Sequence, residues 1–294
     1  MSDRPRHLTI EDLEQVKSLC ETVWEGNDYV PESFPKWATD EKATTLGIFN
    51  GDELVALLNL EQVEETSIAW VQGLRVKDGH RDKGYGTKLT KAIVDIAKEK
   101  GIRTLWYATS SRNEASQHVA EKAGFSLIES NGYFRLYHPY PDHAKPSPSI
   151  IPLQVDSNRL HELLMSNPDL VGSTVFPLAW EYDFKSLEGL ARLTKNAIIK
   201  VIIDEAGTTE GLYCLTTRKR GDELTAAYTV YATNRSIFVD IISRTIDEAN
   251  ALGANRVVYF LGPRGSEWAS GLGFVEEEFI GRKFLLYELN PAAN

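Results

Sequence analysis

Residues 72–89 decide the fold, and they read Gln72-Gly-Leu-Arg-Val-Lys-Asp-Gly-His-Arg-Asp-Lys-Gly-Tyr-Gly-Thr-Lys-Leu89. The segment is predicted to run from a strand through a glycine-bearing loop into an amphipathic helix. Gly84 and Gly86 allow the backbone to adopt positive φ and to approach a ligand closely. The unpaired N–H groups at the start of the helix, with Arg81 and Lys83 beside them, predict a cradle for a pyrophosphate.

Two familiar phosphate-binding motifs do not fit this loop. A Rossmann motif needs a third glycine where Leu89 stands, and it follows the first strand of its unit, whereas several predicted strands precede this loop. A P-loop needs the pattern GxxxxGK[ST], which the chain does not contain. The predicted cradle therefore belongs to neither class.

The composition restricts the class of protein. The chain has 294 residues, a formal net charge of −10 and two cysteines, Cys20 and Cys214. The length predicts two domains, and the negative charge argues against nucleic acid or an anionic membrane as a partner. The cysteines cannot form a disulfide framework, and no histidine motif predicts a metal site. Without a signal-peptide pattern or a run of about 18 apolar residues, we expect a cytoplasmic protein.

A proline-rich segment divides the chain. Residues 138–149 contain four prolines, which disfavour a helix or a central strand there. We therefore predict domains at residues 1–140 and 150–294, with the boundary near residue 145. Hydrophobic periodicity predicts an α/β architecture, a mixed sheet flanked by helices. In the first domain the predicted helices are 10–24, 87–100 and 113–122, and the predicted strands are 45–49, 53–63, 67–76, 104–109, 126–130 and 133–138.

The second domain repeats part of this plan, which predicts a tandem duplication. The aligned segments, in order, are 101–107 with 253–259, 123–125 with 272–274, and 134–137 with 284–287. At a matching offset Gly84 and Gly86 become Ser236 and Phe238. Because phenylalanine does not permit the close backbone approach of glycine, we predict that the second domain lacks the cradle.

Three features together resemble the GNAT acetyltransferase superfamily. Arg81-Asp-Lys-Gly-Tyr-Gly86 resembles its R/Q-x-x-G-x-G/A motif, residues 73–76 stand where its preceding strand lies, and residues 113–125 resemble its later N-x-x-A…G-F helix. The resemblance implies acetyl-CoA as the cofactor and tandem GNAT-like domains, of which the second is degenerate. It also implies that parallel strands splay near Val76, where a backbone N–H can polarise the thioester carbonyl.

The same resemblance implies a set of cofactor-binding residues. The main chain of Leu74, Arg75 and Val76 would hold the pantetheine arm, and the side chain of Asn113 would position it. Backbone N–H groups in the glycine loop would hold the pyrophosphate. The residues assigned to this loop are Arg81, Asp82, Lys83, Gly84, Tyr85, Gly86 and Thr87.

Two further segments resemble the vertebrate histidine N-acetyltransferase family. They are Gly26-Asn-Asp-Tyr-Val-Pro31, with the aromatic residues that follow it, and residues 163–183 in the second half. The family implies acetylation of the α-amino group of a free amino acid, histidine in the type case. The candidate substrate-binding residues are Asp28 for an ammonium group, and Tyr29, Phe34, Trp180 and Tyr182 for a flat side chain. Core packing is the alternative for Phe34, Trp180 and Tyr182.

The usual GNAT acid and base do not carry over. Many members have a tyrosine where Ala120 stands, and histone-type members have a glutamate where Trp70 stands. We therefore assign Glu61 as the candidate base and Gln72 as the residue that orients a water molecule. Further candidates, each with a simpler structural explanation, are His118 and Tyr133.

The function predicted from the sequence is N-acetyltransfer to a small-molecule amine or amino acid. One alternative is a protein N-terminal or lysine acetyltransferase, which would need an open groove to admit a chain. The other is an acyl-CoA-binding module without catalysis. The identity of the acceptor and the oligomeric state stay open at this point.

Overall fold

The computed structural model describes residues 4–21, 23, 28–204 and 206–293. The chain forms two compact units: unit 1 contains residues 1–128 and 285–294, and unit 2 contains residues 129–284. Most of the last strand of each sequence half therefore belongs to the unit formed by the other half. Within the described residues, no helix is long and apolar enough to cross a membrane.

The first half of the chain alternates strands and helices. In chain order its elements are β1 (Arg6–His7), α1 (Leu13–Cys20), α2 (Val30–Thr39), β2 (Ala43–Asn50), β3 (Glu53–Gln62), β4 (Ile68–Val76), α3 (Tyr85–Glu99), β5 (Thr104–Ser110), α4 (Glu114–Lys122) and β6 (Ser126–Tyr137). The hairpin between β2 and β3 turns at Gly51, whose φ is +64°. The sequence Asn50-Gly51-Asp52 predicts this turn because glycine adopts left-handed φ without a steric cost.

The second half repeats the central strand–helix–strand segment. Its elements are β7 (Pro152–Val155), α5 (Ser157–Ser166), β8 (Val175–Leu178), β9 (Glu181–Phe184), α6 (Leu187–Leu193), β10 (Ile198–Ile203), β11 (Thr209–Arg220), β12 (Glu223–Ala232), α7 (Arg235–Ala251), β13 (Arg256–Leu261), α8 (Pro263–Ala269) and β14 (Lys283–Leu289). β12 and β13 pair in parallel and are connected by α7, just as β4 and β5 pair in parallel and are connected by α3. Gly101 and Gly253 follow the two helices with φ of +72° and +68°, as the duplication predicts.

The sheet of unit 1 separates two layers of helices. β2, β3 and β4 pair antiparallel, β4 and β5 pair parallel, and β14 follows β5 in the strand order. On one face α3 buries Leu89 and Ile93, and on the other α2 buries Phe34. Because neighbouring strand residues point to opposite faces, β4 presents Leu74 to the α3 side and Arg75 to the α2 side.

Unit 2 has the same layered construction. Its strand order is β6-β13-β12-β11-β10-β7. Phe238 and Ile241 of α7 are buried on one face of this sheet, and Leu160 of α5 and Leu190 of α6 are buried in a second cluster with β10 and β11. Both units therefore have the α/β architecture that the sequence predicts, a sheet flanked by helices.

Two predicted elements differ from the structure. The helix predicted at residues 10–24 begins as a 3-10 turn, and its α-helical part ends at Cys20; Trp24 lies outside the described residues. The strands predicted at 126–130 and 133–138 are one continuous strand, β6. Asn131 forms no turn because its buried Oδ1 accepts a hydrogen bond from Tyr182 Oη at 2.8 Å, and Gly132 pairs with Leu261.

Candidate active site

The parallel strands of unit 1 separate partway along their length. β4 and β5 pair from Ile68–Thr104 to Val71–Tyr107, and the register stops there. β4 nevertheless continues to Val76 and β5 to Ser110. A slot therefore opens between them after Val71, a little earlier than the position near Val76 that the sequence predicts.

A β-bulge at Gly73 shapes the wall of this slot. Asn59 pairs with Gln72 and Leu57 with Arg75, so that Gly73 and Leu74 together face a single residue of β3. Gly73 has a φ of +74°, and a Cβ there would lie 3.0 Å from Trp37 Cη2. Only glycine fits both constraints. The bulge turns the main chain of the following residues, to which the sequence assigns the pantetheine arm.

The glycine loop leaves the start of α3 open. Residues 81–84 are exposed, and Asp82 and Gly84 adopt left-handed φ of +62° and +78°. Gly84 is the N-cap of α3 and provides no side-chain cap, and nothing lies within 4 Å of a Cβ placed on it. The first N–H groups of a helix lack partners inside the helix. This backbone therefore offers amide donors and a positive helix end to an anion.

Charges around the loop favour the same kind of ligand. Arg81 forms an exposed ion pair with Asp78 at 3.0 Å, and Lys83 lies beside it on the exposed loop. Gly86 is buried in the first turn of α3, and a Cβ there would lie 3.2 Å from Val119 Cγ2 of α4. The missing side chain lets the first turn of α3 pack closely against α4.

Asn113 immediately precedes α4. Its Oδ1 accepts a hydrogen bond from Ser116 N at 3.2 Å, which makes it the N-cap. The side chain is exposed, and its amide nitrogen is the group left to contact a bound arm. The structure therefore gives Asn113 a capping role that the sequence motif alone did not reveal.

Arg75 and Asp28 form an ion pair on the α2 side of the bulge. Arg75 Nε and Nη2 donate to Asp28 Oδ2 and Oδ1 at 2.6 Å each, and the two side chains are 12% and 1% exposed. Burial by itself would raise the pKa of Asp28, but the hydrogen bonds and charge of Arg75 lower it below 3.8. Asp28 is therefore already paired with a cation, whereas Gly26 and Asn27 of the same motif lie outside the described residues.

Tyr29 connects this ion pair to the bulge. Its hydroxyl oxygen accepts hydrogen bonds from Gly73 N–H and from Arg75, and burial, the largest effect, raises its pKa. The Arg75 Cζ atom lies 5.4 Å from the centre of the Tyr29 ring. The tyrosine is thereby held at the level where β4 has separated from β5.

The two predicted catalytic residues contact each other. Gln72 Nε2 donates to Glu61 Oε2 at 2.6 Å, and Lys36 Nζ donates to Glu61 Oε1 at 2.7 Å. Glu61 keeps 23% side-chain exposure, so water reaches its carboxylate. Gln72 is the first residue of β4 beyond the last pair with β5, which places this carboxylate–amide pair beside the slot.

Two hydroxyl groups lie close together at Tyr107, the last residue of β5 that pairs with β4. Tyr107 Oη and Ser116 Oγ are 2.6 Å apart, and burial raises the pKa of Tyr107 to about 12. Ser116 lies one turn before Ala120, which occupies the place of the usual GNAT tyrosine. This pair was missed from the sequence because its members lie on different elements and match no motif.

Three of the predicted substrate-binding residues have core contacts. Phe34 is fully buried among the apolar residues of α1 and α2. In unit 2, Trp180 packs edge-on against Phe260, and buried Tyr182 stacks on Phe284. Their roles in substrate binding stay predictions.

Comparisons with known proteins agree with this geometry. Residues 10–125 match the family model described as the acetyltransferase (GNAT) family. Histidine N-acetyltransferase of Oreochromis niloticus is 24% identical over 92 residues, which are 31% of this chain and 27% of that protein. The ribosomal protein bS18-alanine N-acetyltransferase of Haemophilus ducreyi is 27% identical over 108 residues, 33% of this chain and 72% of that protein.

A solved structure extends the likeness to both halves. The tandem GNAT protein from the clavulanic acid biosynthesis pathway has a TM-score of 0.60 and 12% identity, and the match covers 98% of both chains. At this identity the likeness shows the fold, which is a tandem GNAT fold. By contrast, the chain matches 27% of the length of each of two histidine N-acetyltransferases.

The family match and the candidate site fall in the same part of the chain. Residues 10–125, which match the acetyltransferase (GNAT) family model, contain the splayed strands, the bulge and the open helix start. Acetyltransferases of this family use acetyl-CoA, which is the cofactor that the sequence predicts for this segment.

Proposed function

We propose that this protein transfers the acetyl group of acetyl-CoA to the α-amino group of a free amino acid with a flat, histidine-like side chain. The observation that carries the proposal is the slot between β4 and β5 beside the uncapped start of α3. A slot lined by backbone donors accommodates an extended acyl chain, and the helix start accommodates its phosphates.

The chain's own residues bind the cofactor through the main chain. Leu74, Arg75 and Val76 hold the pantetheine arm, amides of residues 82–87 hold the pyrophosphate, and Asn113 positions the arm. When bound, acetyl-CoA supplies the acetyl group as an activated thioester. A backbone N–H at the bulge is placed to stabilise negative charge on the thioester carbonyl.

On the acceptor side, Glu61 and Gln72 prepare the amine. Glu61 removes a proton from the ammonium group through a water molecule that Gln72 orients. Holding the neutral amine next to the slot supplies the remainder of the rate increase by proximity. Tyr29 beside the bulge contacts the acceptor side chain.

The free amino acid as acceptor is supported by the matches to histidine N-acetyltransferases. The match to the ribosomal protein bS18-alanine N-acetyltransferase favours a second candidate, a protein N-terminus. The two candidate acceptors differ at the carboxyl group of the acetylated residue. This group is free in an amino acid and is part of a peptide bond at a protein N-terminus.

An acceptor panel separates them. The full chain is incubated with acetyl-CoA and each of the free amino acids, histamine, lysine derivatives and short peptides, and free CoA is measured. Turnover with histidine or a related amino acid supports the proposal, and turnover only with peptides supports the second candidate. Acetyl-CoA binding with no turnover for any acceptor would overturn both and leave an acyl-CoA-binding module.

A further inference from the structure

The slot between β4 and β5 is closed at one end. The two strands pair as far as Val71 and Tyr107 and then separate. These two residues are 2% and 3% exposed, and both belong to the core cluster on the α3 face of the sheet. A chain that enters the slot from the side of the glycine loop therefore meets Val71 and Tyr107 at the inner end.

The order of residues along β4 determines which part of the cofactor faces this end. The inference rests on the proposed function, in which the glycine loop holds the pyrophosphate and the main chain of residues 74–76 holds the pantetheine arm. An arm that runs along β4 from Val76 to the bulge at Gly73 directs its acyl group towards Val71. Two residues of a strand span about 6–7 Å, which leaves room for a short acyl chain.

Tyr107 is held in place by its neighbours. Its Oη atom lies 2.6 Å from Ser116 Oγ of α4, and its ring packs edge-on against Phe125, with the ring centres 5.9 Å apart. Burial, the largest effect, raises the pKa of Tyr107, and the charges of Tyr29 and Arg75 beside the bulge also act on it. The hydroxyl group is therefore close to the slot. The side chain cannot turn away to admit a longer chain without breaking these contacts.

The matching tyrosine of unit 2 does not end a ladder. The duplication aligns Tyr259 with Tyr107, and Tyr259 Oη also lies close to a helix hydroxyl, 2.9 Å from Thr245 Oγ1 of α7. However, β12 and β13 continue to pair beyond it, as far as Val230 and Leu261. The same residue type is therefore part of a closed core in unit 2, whereas in unit 1 it stands at the inner end of the slot.

We propose that Tyr107, together with Val71, forms the end wall of the slot and restricts the acyl group of the bound thioester to acetyl. A fixed wall discriminates against one extra methylene group by about ten-fold or more, because a packed interior does not expand without cost. Tyr107 is thus a specificity-determining residue, and its role does not require it to transfer a proton. The preference for acetyl should therefore be measurable by binding alone, without an acceptor.

Isothermal titration of the full chain with acetyl-CoA, propionyl-CoA and butyryl-CoA tests the proposal. The three ligands share the same CoA portion, so their affinities differ only through the acyl group. Propionyl-CoA should bind about ten-fold more weakly than acetyl-CoA, and butyryl-CoA more weakly still. Equal affinities would overturn the end wall and leave the proposed function intact, whereas a failure to bind acetyl-CoA would overturn both.

Variants at the end wall show which residues set this preference. Tyr107→Leu shortens the wall, and butyryl-CoA should then bind within about three-fold of acetyl-CoA. Tyr259→Leu is the matched control, because it makes the same change at the aligned tyrosine of unit 2, and it should keep the wild-type preference. Val71→Ala enlarges the same end by a smaller volume, and it should bring propionyl-CoA within about three-fold of acetyl-CoA.

The ratio of affinities distinguishes a wall from a structural role. If Tyr107→Leu weakens all three thioesters equally, the residue supports the fold only and the proposal is wrong. The same conclusion follows if Tyr259→Leu changes the preference as much as Tyr107→Leu does. If Tyr107→Leu does not fold, the comparison of Val71→Ala with the wild-type chain still decides the question.

Discussion

The two units contain the same strand–helix–strand segment but differ at the place where unit 1 opens. In unit 1, β4 and β5 stop pairing at Val71 and Tyr107. In unit 2, β12 and β13 stay paired as far as Val230 and Leu261, and Gly262 N donates to Val230 O at 3.1 Å. β12 also pairs with β11 without a bulge. A continuous ladder leaves no slot, so identical topology does not by itself make a binding site.

The starts of α3 and α7 also differ, because α3 is open to a ligand and α7 is capped. Gly84 leaves α3 uncapped, whereas Asn234 Oδ1 accepts from Ile237 N at 3.0 Å and caps α7. The Glu210 carboxylate also accepts hydrogen bonds from Thr233 and Asn234. A side-chain oxygen and a negative charge therefore occupy the place that an anionic ligand would need.

The two units also differ in the side chains at matching positions. Phe238 is fully buried in unit 2, where its ring lies 3.2 Å from a Cβ placed on Gly265. The strand registers place Thr216 and Thr229 where unit 1 has Glu61 and Gln72. These differences support the prediction that unit 2 binds no acetyl-CoA. Unit 1 combines a broken ladder, an uncapped helix and small residues, and unit 2 has none of these three features at the matching positions.

The variant Gly84→Phe should remove from unit 1 the glycine-loop cradle that unit 2 is predicted to lack, and it should have the largest effect. Phenylalanine at a φ of +78° distorts the loop and covers the amides. We expect acetyl-CoA to bind at least about 100-fold more weakly, since two or more charge-assisted hydrogen bonds are lost. Isothermal titration of the purified variant measures this change.

Gly101→Phe is the matched control. Gly101 has a φ of +72°, has open space around its Cβ position and follows the other end of α3. It should show a similar loss of stability with normal acetyl-CoA binding. If both variants bind acetyl-CoA equally well, the glycine loop is not the pyrophosphate site.

The variant Asp28→Ala should strongly destabilise unit 1. It leaves Arg75, which is 12% exposed, without its carboxylate partner. Removing one member of a buried ion pair costs about 3–5 kcal/mol. Chemical denaturation should show this loss, and Glu14→Ala, which breaks an exposed pair with Lys17, should change stability little.

The same ion pair predicts a pH dependence. The pKa of Asp28 is lower in the folded chain than its ordinary value of 3.8. Its stabilising contribution is therefore complete above about pH 4 and is lost as the pH falls through the lower folded pKa. Unfolding midpoints of the wild-type chain and Asp28→Ala should converge over this acidic range; a constant difference would contradict the assignment.

The variant Glu61→Gln tests a carboxylate that unit 2 replaces with threonine. The amide keeps the shape and one acceptor oxygen but cannot take a proton. We expect kcat to fall about 100-fold with the KM for acetyl-CoA unchanged. Glu53→Gln, on the same strand and paired with Lys77, should retain normal kcat, and an unchanged kcat in Glu61→Gln would rule out this base.

The variants Asn234→Ala and Asn113→Ala should have the smallest effects and separate the two units. Each removes a helix cap, at 3.0 and 3.2 Å, which costs about 1 kcal/mol. Only Asn113→Ala should also raise the KM for acetyl-CoA, because the proposed cofactor site lies in unit 1. Steady-state kinetics and thermal unfolding measure both quantities, and a raised KM in Asn234→Ala would argue for cofactor binding in unit 2.

Much of the fold was predictable because local rules govern it. Turn glycines, helix periodicity and the glycine loop depend on residues a few positions apart. The continuous course of β6 was missed because Asn131-Gly132 is a turn sequence whose members are held by Tyr182 and Leu261. Those partners are distant in sequence, so no local pattern could identify them.

By itself the sequence determined the tandem α/β plan, the glycine loop and the loss of that loop in the second half. Only the tertiary structure decided the exchange of terminal strands between units, the Arg75–Asp28 pair across 47 positions and the Trp106–Glu288 hydrogen bond across 182. It also decided that β4 and β5 separate while β12 and β13 stay paired. The physical reason is range: propensity and periodicity act along a few residues, whereas charges and strands find their partners only when the chain has folded.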